Sequence, residues 1–540
     1  MNFWDRFKKR YNLDRIDALF LGIALSVGSV FRIIGFNWGK NAIYQPDEYW
    51  MVDPVIQMAE TRRLLFDRFY YPAQSFSKLQ AVIVIIFCKL FGIEIRDDQV
   101  IIYYICRLIV CIFGVMTVFV TFLIGNYLHK RLGTCSALLL SVSPFMTLMA
   151  KQDTGDVNVL FCGSVTMLCA LRYSEEQRKR FLILMSMFAA IATMEKWHGG
   201  AAAVLVGVFI LIYANSVKDF FIRGLGATIS FLAAMIIISP NIIKVGPMFL
   251  IENFFDIAVY EGDKGPGYLS NLLAYAQYSY NRIGGILYIM AILVGVLVVL
   301  WKRDKRYLIL SLGIIKVLIL GLLNRTMLRW GLELYYCEII LIAAAFVFFI
   351  SNKSKIVNGV AFLLGIIILS ENVLSSTLIC EAASRYNQDV RFIQEKYCEE
   401  SGITPDNSAC NYYTAYDPGG IPHRAKMIAD WDLENVFELV DDKLYKEFNV
   451  DYLICGSRMF WSGAESLYGI REYRTWECKA SIPDVFNIPF SVIDQSYNDL
   501  KLCGNYLNAI ASIWNGANVG AYDIIIYDIS GVPLLNSNVD

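Results

Sequence analysis

The chain is poor in the side chains that most often hold zinc. It uses histidine only three times in 540 residues, and its thirteen cysteines form no Cys-x-x-Cys pair, which argues against a zinc site. The formal net charge of −1 gives no indication of a nucleic-acid partner. No small-residue cleavage pattern follows the first apolar run, so the basic start predicts a retained first span and not a removed signal peptide. Internal repeats and low-complexity segments are also missing.

Apolar sequence, by contrast, is abundant. Hydrophobic residues make up 56% of the chain, and the mean hydropathy is +0.47. They come in blocks of about twenty, the length of helix that crosses a bilayer core. We predict an α-helical multi-pass membrane protein with about eleven transmembrane helices. The predicted spans are residues 17–36, 101–126, 133–150, 156–172, 181–196, 199–214, 222–240, 284–301, 307–323, 333–350 and 356–378.

Basic residues occupy alternate loops between these spans, beginning with Lys8 to Arg10 before the first one. The positive-inside rule places those loops and the N-terminus in the cytoplasm. The opposite loops then face outward, and they include residues 37–100, 151–156, 195–198 and 241–283. The last of these loops carries acidic residues and glycines and is interpreted as a mobile segment or as a substrate lid.

Two regions outside the spans complete the predicted organisation. The first external loop, residues 37–100, is expected to hold one helix near 48–63 and a second that lies along the membrane near 78–91. The tail, residues 379–540, predicts a small extracytoplasmic α/β domain, with strands near 450–455 and 522–527. The membrane module is thus residues 1–378. The six cysteines of the tail permit disulfides in an oxidising space.

Ionisable residues collect at the predicted outer face, where charges at membrane depth are functional candidates. Asp47 and Glu48 follow the first span directly. Adjacent carboxylates can act as a base with its orienting partner or as half of a metal site, but they also suit the first turn of a helix. Asp156, which ends the stretch that begins at Lys151, could equally cap the helix that follows it.

A second group of charges has scarcely any loop around it. Glu195, Lys196 and His198 stand with Trp197 between two apolar stretches, which favours function over solvated surface. Arg325 and Arg329 are four residues apart and would share one face of a helix. Guanidinium groups suit phosphate recognition, although a pair that extends to the membrane interface is the alternative. External carboxylates facing external cations suit transfer from a phosphate-linked donor.

The order and position of these residues resemble the GT-C class of membrane glycosyltransferases, in particular the protein O-mannosyltransferases and the lipid A aminoarabinose transferases. The resemblance covers roughly residues 15–350. The stretches that carry it are Asp47-Glu48, Lys89 to Gly92, Arg107 to Gly114, Leu132-Gly133, Ser143 to Phe145, Lys151 to Asp156, Thr193 to Trp197 and Arg325 to Arg329.

The resemblance implies an inverting transfer of a sugar from a polyprenyl-phosphate donor to an acceptor hydroxyl on the outer face of the membrane. Asp47 would be the general base, with Glu48 orienting it, and Asp156 would be the second acidic residue. The donor phosphate would be bound by Lys196 and Arg329, with Arg325 and Lys151 in the same group. The remaining candidates, expected to contact substrate, are Glu195, Trp197 and His198.

The resemblance requires no cofactor, and the alternative of a divalent metal at Asp47, Glu48 and Asp156 stays open at this point. The expected partners are the lipid-linked donor, membrane lipids and an acceptor protein, lipid or glycan. A transporter or flippase of lipid-linked sugars is the alternative function, because transporters also place charges at helix ends.

Overall fold

A computed structural model describes most of the membrane module and parts of the tail. The described residues are 13–37, 46–64, 74–95, 99–240, 242–245, 267–279, 285–323, 326–384, 396–404, 407–411, 426–428, 451–456, 477–482 and 524–528. They divide into two compact units. The first includes the described residues up to 380 apart from 37 and 46–49, and the second includes residues 37 and 46–49 and the described residues from 381 onward.

The membrane module is helical throughout its described residues. Its helices are α1 (Arg15–Ile33), α2 (Pro46–Thr61), α3 (Gln74–Phe91), α4 (Gln99–Leu128), α5 (Leu132–Ser141), α6 (Pro144–Met149), α7 (Asp156–Glu176), α8 (Lys179–Glu195), α9 (Ala201–Tyr213), α10 (Val217–Ile238), α11 (Ile242–Val245), α12 (Tyr268–Tyr278), α13 (Gly285–Lys302), α14 (Ser311–Leu320), α15 (Leu332–Ile350) and α16 (Lys355–Ser384). Three one- or two-turn 3-10 helices join them, at Trp197–Gly200, Lys305–Leu310 and Leu328–Gly331.

Seven of these helical segments are long and apolar enough to cross a membrane, among the residues that the structure describes. They confirm the predicted helical membrane protein and seven of its predicted spans. The other four predicted spans fall on shorter or interrupted helices, so the expected total of eleven is not established. The seven segments are Arg15–Ile33, Val100–Leu128, Asp156–Glu176, Val217–Ile238, Gly285–Lys302, Arg329–Ile350 and Lys355–Thr377.

Local capping explains two of the interruptions. The predicted span 133–150 breaks where the Ser143 hydroxyl accepts a hydrogen bond from the Met146 N–H and Pro144 starts a new helix. The predicted span 307–323 begins with a 3-10 helix, because the Asp304 carboxylate accepts the Arg306 N–H at 2.9 Å. Signals for helix starts therefore divide apolar runs that hydropathy alone treats as continuous.

Residues 37–100 contain two described helices, as predicted, and α3 has its apolar face exposed. Ser77 and Gln80 are buried, whereas Leu90 and Phe91 are 75% and 66% exposed. Exposed apolar residues at helical spacing along one face are typical of a helix that lies against lipid. The exposed residues of this face are Leu79, Val82, Ile86 and Leu90.

The second unit contains a five-stranded mixed sheet. Its strands are β1 (Ser408–Asn411), β2 (Lys426–Ile428), β3 (Tyr452–Gly456), β4 (Glu477–Ile482) and β5 (Ile524–Asp528). Their order is β2-β1-β3-β5-β4, with β1 parallel to both neighbours and β5 antiparallel to β3 and β4. Strands β3 and β5 confirm the two strands predicted in the tail.

Nine cysteines have side chains among the described residues. Those predicted to lie in apolar segments are buried or half-buried, as small core residues are. Cys380 and Cys398 of the tail are also buried, and the disulfides that the tail's cysteines permit stay a prediction. The other four cysteines of the tail have side chains outside the described residues.

Helices α4 and α5 approach each other at two glycines. A Cβ atom on Gly125 would lie 2.4 Å from the Cα of Gly133, and one on Gly133 would lie 2.2 Å from the carbonyl oxygen of Phe122. Backbone atoms cannot yield to such a contact as a flexible side chain can. The close packing of this helix pair therefore requires glycine at both positions.

We expect Gly125→Ala to destabilise the protein by roughly 1–3 kcal/mol, the usual cost of overpacking a well-packed core. The matched control is Gly207→Ala in α9, where an added Cβ would meet no atom within 4 Å. There the better helix propensity of alanine should leave stability unchanged or raise it by up to about 1 kcal/mol. Thermal unfolding in detergent measures both, and equal midpoints for the two variants would contradict the close approach.

Candidate functional site

Asp156 lies at the centre of a buried cluster of charges in the first unit. It is the first residue of α7 and follows Gly155, whose positive φ of 76° lets the chain turn into the helix. Its side chain is 1% exposed. A carboxylate that leaves water so completely needs partners, and two other segments of the chain supply them.

Three side chains face the Asp156 carboxylate. Lys196 Nζ donates to Oδ2 at 2.9 Å, and Arg329 Nε lies 3.8 Å from the same oxygen. On the other side, His198 Nε2 lies 3.5 Å from Oδ1. The structure thus brings together four of the residues that the sequence singled out as candidates.

A tight reversal of the chain brings Lys196 and His198 to this point. Lys196 is extended between the end of α8 and the 3-10 helix Trp197–Gly200. A Cβ on Gly199 would lie 2.1 Å from the carbonyl oxygen of Ala192. Only glycine allows the chain to turn back so closely on α8, and the turn keeps both ionisable side chains inside the protein.

Two residues that the sequence analysis did not select extend the cluster. Lys316 on α14 is 0% exposed, and its ammonium donates to Glu333 Oε1 at 2.6 Å. It also contacts His198, with Nζ 2.5 Å from Nδ1 and 3.2 Å from the carbonyl oxygen. Lys316 is a lone charge in an apolar run, and Glu333 lies in an apolar helix with Glu338. Charges within membrane helices are the signal that could have found them.

The contact with Lys316 determines how His198 is protonated. An ammonium has only donors, so Nδ1 must accept, and the ring hydrogen is on Nε2, which faces Asp156. Burial, together with the nearby Lys316 ammonium, lowers the pKa of His198 to about 3. His198 is therefore a neutral imidazole that contributes a donor, and not a charge, to the Asp156 side of the cluster.

The cluster gathers three cations in buried surroundings. They are Lys196, Lys316 and Arg329, and the carboxylates of Asp156 and Glu333 lie among them. Lysine and arginine donors arranged in this way are suited to binding an anion.

Glu195 has a role different from the predicted substrate contact. Its Oε2 accepts from Ser75 Oγ at 2.7 Å and from the Phe76 N–H at 3.2 Å, and its Oε1 accepts from Asn158 Nδ2 at 2.8 Å. Ser75 and Phe76 lie in the first turn of α3. The carboxylate therefore caps the start of α3 from another helix and connects it to α7.

Lys151 also has a role different from the predicted phosphate contact. Its ammonium donates to the carbonyl oxygens of Phe31, Arg32 and Ile34, at 2.5, 3.3 and 2.5 Å. These groups belong to the C-terminal end of α1, where carbonyls lack partners within the helix. Burial lowers the pKa of Lys151. Because its ammonium donates to these main-chain carbonyl oxygens, Lys151 serves as a cap for α1.

The remaining candidates are placed as follows. Asp47 and Glu48 lie in the first turn of α2, where Glu48 is buried and the Asp47 side chain is outside the described residues. Trp197 is half-buried in the 3-10 helix beside Lys196. Arg325 is outside the described residues. The expected helical face shared with Arg329 is wrong, because Met327 is extended and the 3-10 helix begins only at Leu328.

Within the described part of the chain, no three His, Cys, Asp or Glu side chains come together as a metal ion would require. The chemistry of the cluster is instead that of lysine and arginine donors around one carboxylate. Such a set suits an oxyanion better than a divalent cation.

One protein-family model matches part of the chain. Residues 81–243 match the family model described as dolichyl-phosphate-mannose-protein mannosyltransferase. This segment contains Asp156, Lys196 and His198, three of the six members of the charge cluster. No curated protein matches the chain.

Two solved structures share the fold. ArnT from Cupriavidus metallidurans in the apo state is 12% identical, with a TM-score of 0.51 over 86% of this chain and 95% of that one. The archaeal oligosaccharyltransferase AglB from Archaeoglobus fulgidus, in complex with an inhibitory peptide and a dolichol-phosphate, is 13% identical, with a TM-score of 0.50 over 84% and 71%. The predicted resemblance to GT-C glycosyltransferases is confirmed. At these identities, the structural likeness establishes the GT-C fold.

We expect Glu195→Ala to loosen the start of α3, because Ser75, Asn158 and the Phe76 N–H lose their common acceptor. Hydrogen–deuterium exchange measures this loosening, and the amides of residues 74–77 should exchange faster than in the wild type. Glu195→Gln, which keeps an acceptor, should show a smaller change. Exchange that stays the same in the alanine variant would contradict the capping role.

We expect the protein to lose stability as the pH falls from 7 to 5, by about 2 kcal/mol from His198 alone. The folded pKa lies below the unfolded value of about 6.5, so the unfolded state binds the proton first. Stability therefore decreases as the pH falls through 6.5 toward 3. His198→Gln, which keeps an acceptor for Lys316, should flatten the dependence of the unfolding midpoint on pH. The control is His129→Gln, since His129 is only partly buried, and an equal flattening in both variants would contradict this assignment.

Proposed function

We propose that the protein is an inverting glycosyltransferase that moves a sugar from a polyprenyl-phosphate donor to an acceptor hydroxyl on the extracytoplasmic face of the membrane. The observation that carries the proposal is the buried cluster around Asp156, in which Lys196, Lys316 and Arg329 come together. The match of residues 81–243 to a dolichyl-phosphate-mannose-dependent family supports it. So does the dolichol-phosphate named with AglB, which shares the fold.

The proposed reaction is a single displacement. The acceptor hydroxyl attacks the anomeric carbon of the donor sugar, and the bond from that carbon to the phosphate oxygen breaks. The acceptor proton passes to a carboxylate, which the family resemblance assigns to Asp47, with Glu48 as its orienting neighbour. The polyprenyl phosphate leaves with the electron pair. One displacement inverts the anomeric configuration.

Lys196 and Arg329 are proposed to bind the departing phosphate. Both face Asp156 Oδ2, at 2.9 and 3.8 Å. Negative charge on the phosphate grows as the bond breaks, so fixed cations in a buried site stabilise the transition state more than the ground state. Lys316 contacts His198 on the side of the ring away from Asp156. Its positive charge adds to the electrostatic stabilisation without contact with the phosphate.

The position of α3 supports a lipid-borne donor. Its exposed apolar face is suited to the bilayer surface, and its buried side is joined to the region of the cluster. Glu195 holds its first turn, and Gln80 Nε2 donates to Asp153 Oδ2 at 2.7 Å. A phosphate carried on a polyprenyl chain would reach the protein at this level. The acceptor is a protein, a lipid or a glycan.

The proposal predicts different defects for base and phosphate-binding residues. Asp47→Asn should abolish sugar transfer and keep the affinity for polyprenyl phosphate, since only the proton acceptor is lost. Lys196→Gln and Arg329→Gln should each weaken that affinity about tenfold or more, the usual effect of removing one charge-assisted contact. Lipid binding in nanodiscs and release of labelled sugar from the donor measure the two properties.

The exposed Lys355 provides a matched control, and Lys355→Gln should change neither property. Full transfer by the Asp47→Asn variant would rule out Asp47 as the base. Tight binding of the carrier without any sugar release by the wild-type protein would instead favour the transporter or flippase function.

A further inference from the structure

The half-buried indole of Trp330 lies next to the charge cluster and takes no part in the reaction proposed above. Trp330 follows Arg329 directly in the 3-10 helix Leu328–Gly331. The centroid of its ring system lies 6.1 Å from that of His198, with the planes tilted by 44°. Both neighbours face the Asp156 carboxylate. The indole therefore lies next to two residues, His198 and Arg329, that border the proposed phosphate subsite.

The turn that carries Trp330 is fixed by hydrogen bonds. The main-chain N–H of Trp330 donates to the Met327 carbonyl at 3.1 Å, and the Tyr275 hydroxyl donates to the same carbonyl at 3.3 Å. A Cβ on Gly331 would lie 3.0 Å from ring atoms of both Tyr275 and Tyr335. The turn therefore packs closely on α12 and α15, and the indole has a defined position rather than the freedom of a loop side chain.

The exposure of Trp330 differs from that of its neighbours. Asp156, Lys196 and His198 are buried, whereas Trp330 keeps part of its surface open. A half-exposed indole offers both an apolar ring face and an N–H donor to a ligand.

A pyranose or furanose ring fits this surface chemically. One face of a sugar ring presents C–H groups that pack on an aromatic face, and its hydroxyls accept from an indole N–H. In the proposed donor, the sugar is bonded directly to the phosphate. Its subsite must therefore adjoin the phosphate subsite, and consecutive residues such as Arg329 and Trp330 are only about 3.8 Å apart at their Cα atoms.

We propose that Trp330 is the platform on which the donor sugar rests, beside a phosphate held by Arg329. This inference depends on the proposed function, because it names the sugar subsite of the same donor. It assigns Trp330 a contact with substrate and a role in selecting the sugar-loaded carrier over the free one. The opposing role is that of an interfacial anchor, since tryptophan is common where membrane helices meet water.

The test compares two ligands on the same protein preparation in nanodiscs. One ligand is sugar-free polyprenyl phosphate, and the other is the tightest-binding member of a panel of polyprenyl phosphates that each carry one hexose or pentose. Trp330→Ala should weaken binding of the sugar-loaded ligand about tenfold and change binding of the free carrier less than twofold. Trp330→Phe, which keeps an aromatic face, should lose much less.

Unchanged binding of the free carrier also shows that the alanine variant is folded. Equal losses for both ligands, or no loss for either, would overturn the role of Trp330 as a sugar platform. Arg329→Gln separates this from the proposed function, since it should weaken both ligands. If Arg329→Gln and Lys196→Gln change neither ligand, the phosphate subsite itself is wrong, and the inference fails with it.

Discussion

The ion pair between Asp156 and Lys196 is the interaction on which the rest of the site depends. Both side chains are almost completely buried, with the two atoms 2.9 Å apart. A buried pair of this kind is favourable only if its remaining hydrogen-bonding capacity is also used. His198 and Arg329 face the same carboxylate, and Lys316 and Glu333 fix His198 in turn. Burial of one carboxylate thus requires an arranged set of polar side chains from α7, α14, α15 and the two turns that carry Lys196 and Arg329.

The cations of that set connect the structure with function. Lys196 and Arg329 face one carboxylate beside a turn that carries a half-buried indole. Charge-assisted donors of this kind are suited to binding an anion such as a phosphate. The geometry divides recognition between neighbours, because Arg329 offers charge to a phosphate and Trp330 offers a face to a ring.

Three other buried charges serve as helix caps. Lys151 terminates α1 with three carbonyl contacts, and both carboxylate oxygens of Glu195 accept hydrogen bonds at the start of α3 or from α7. Arg32 is likewise buried and donates to carbonyl oxygens of Ser141 and Leu140 at the end of α5. Helix ends have free carbonyls and N–H groups of their own, and where those ends are buried a charged side chain is an effective partner. Burial of a charge in this protein therefore does not by itself indicate a ligand site.

The membrane class, the positions of seven long spans, the two helices between residues 37 and 100 and two strands of the tail all follow from the sequence. Periodicity and run length are local properties, and they persist after folding. The sequence also identified Asp156, Lys196, His198 and Arg329, because charges next to predicted spans are visible in a linear chain. The folded structure was needed to show that Lys316 and Glu333 join this cluster while Lys151 and Glu195 serve as caps. Lys316 and His198 are 118 residues apart, and the partner of a buried charge depends on distance in space, which spacing along the chain does not encode.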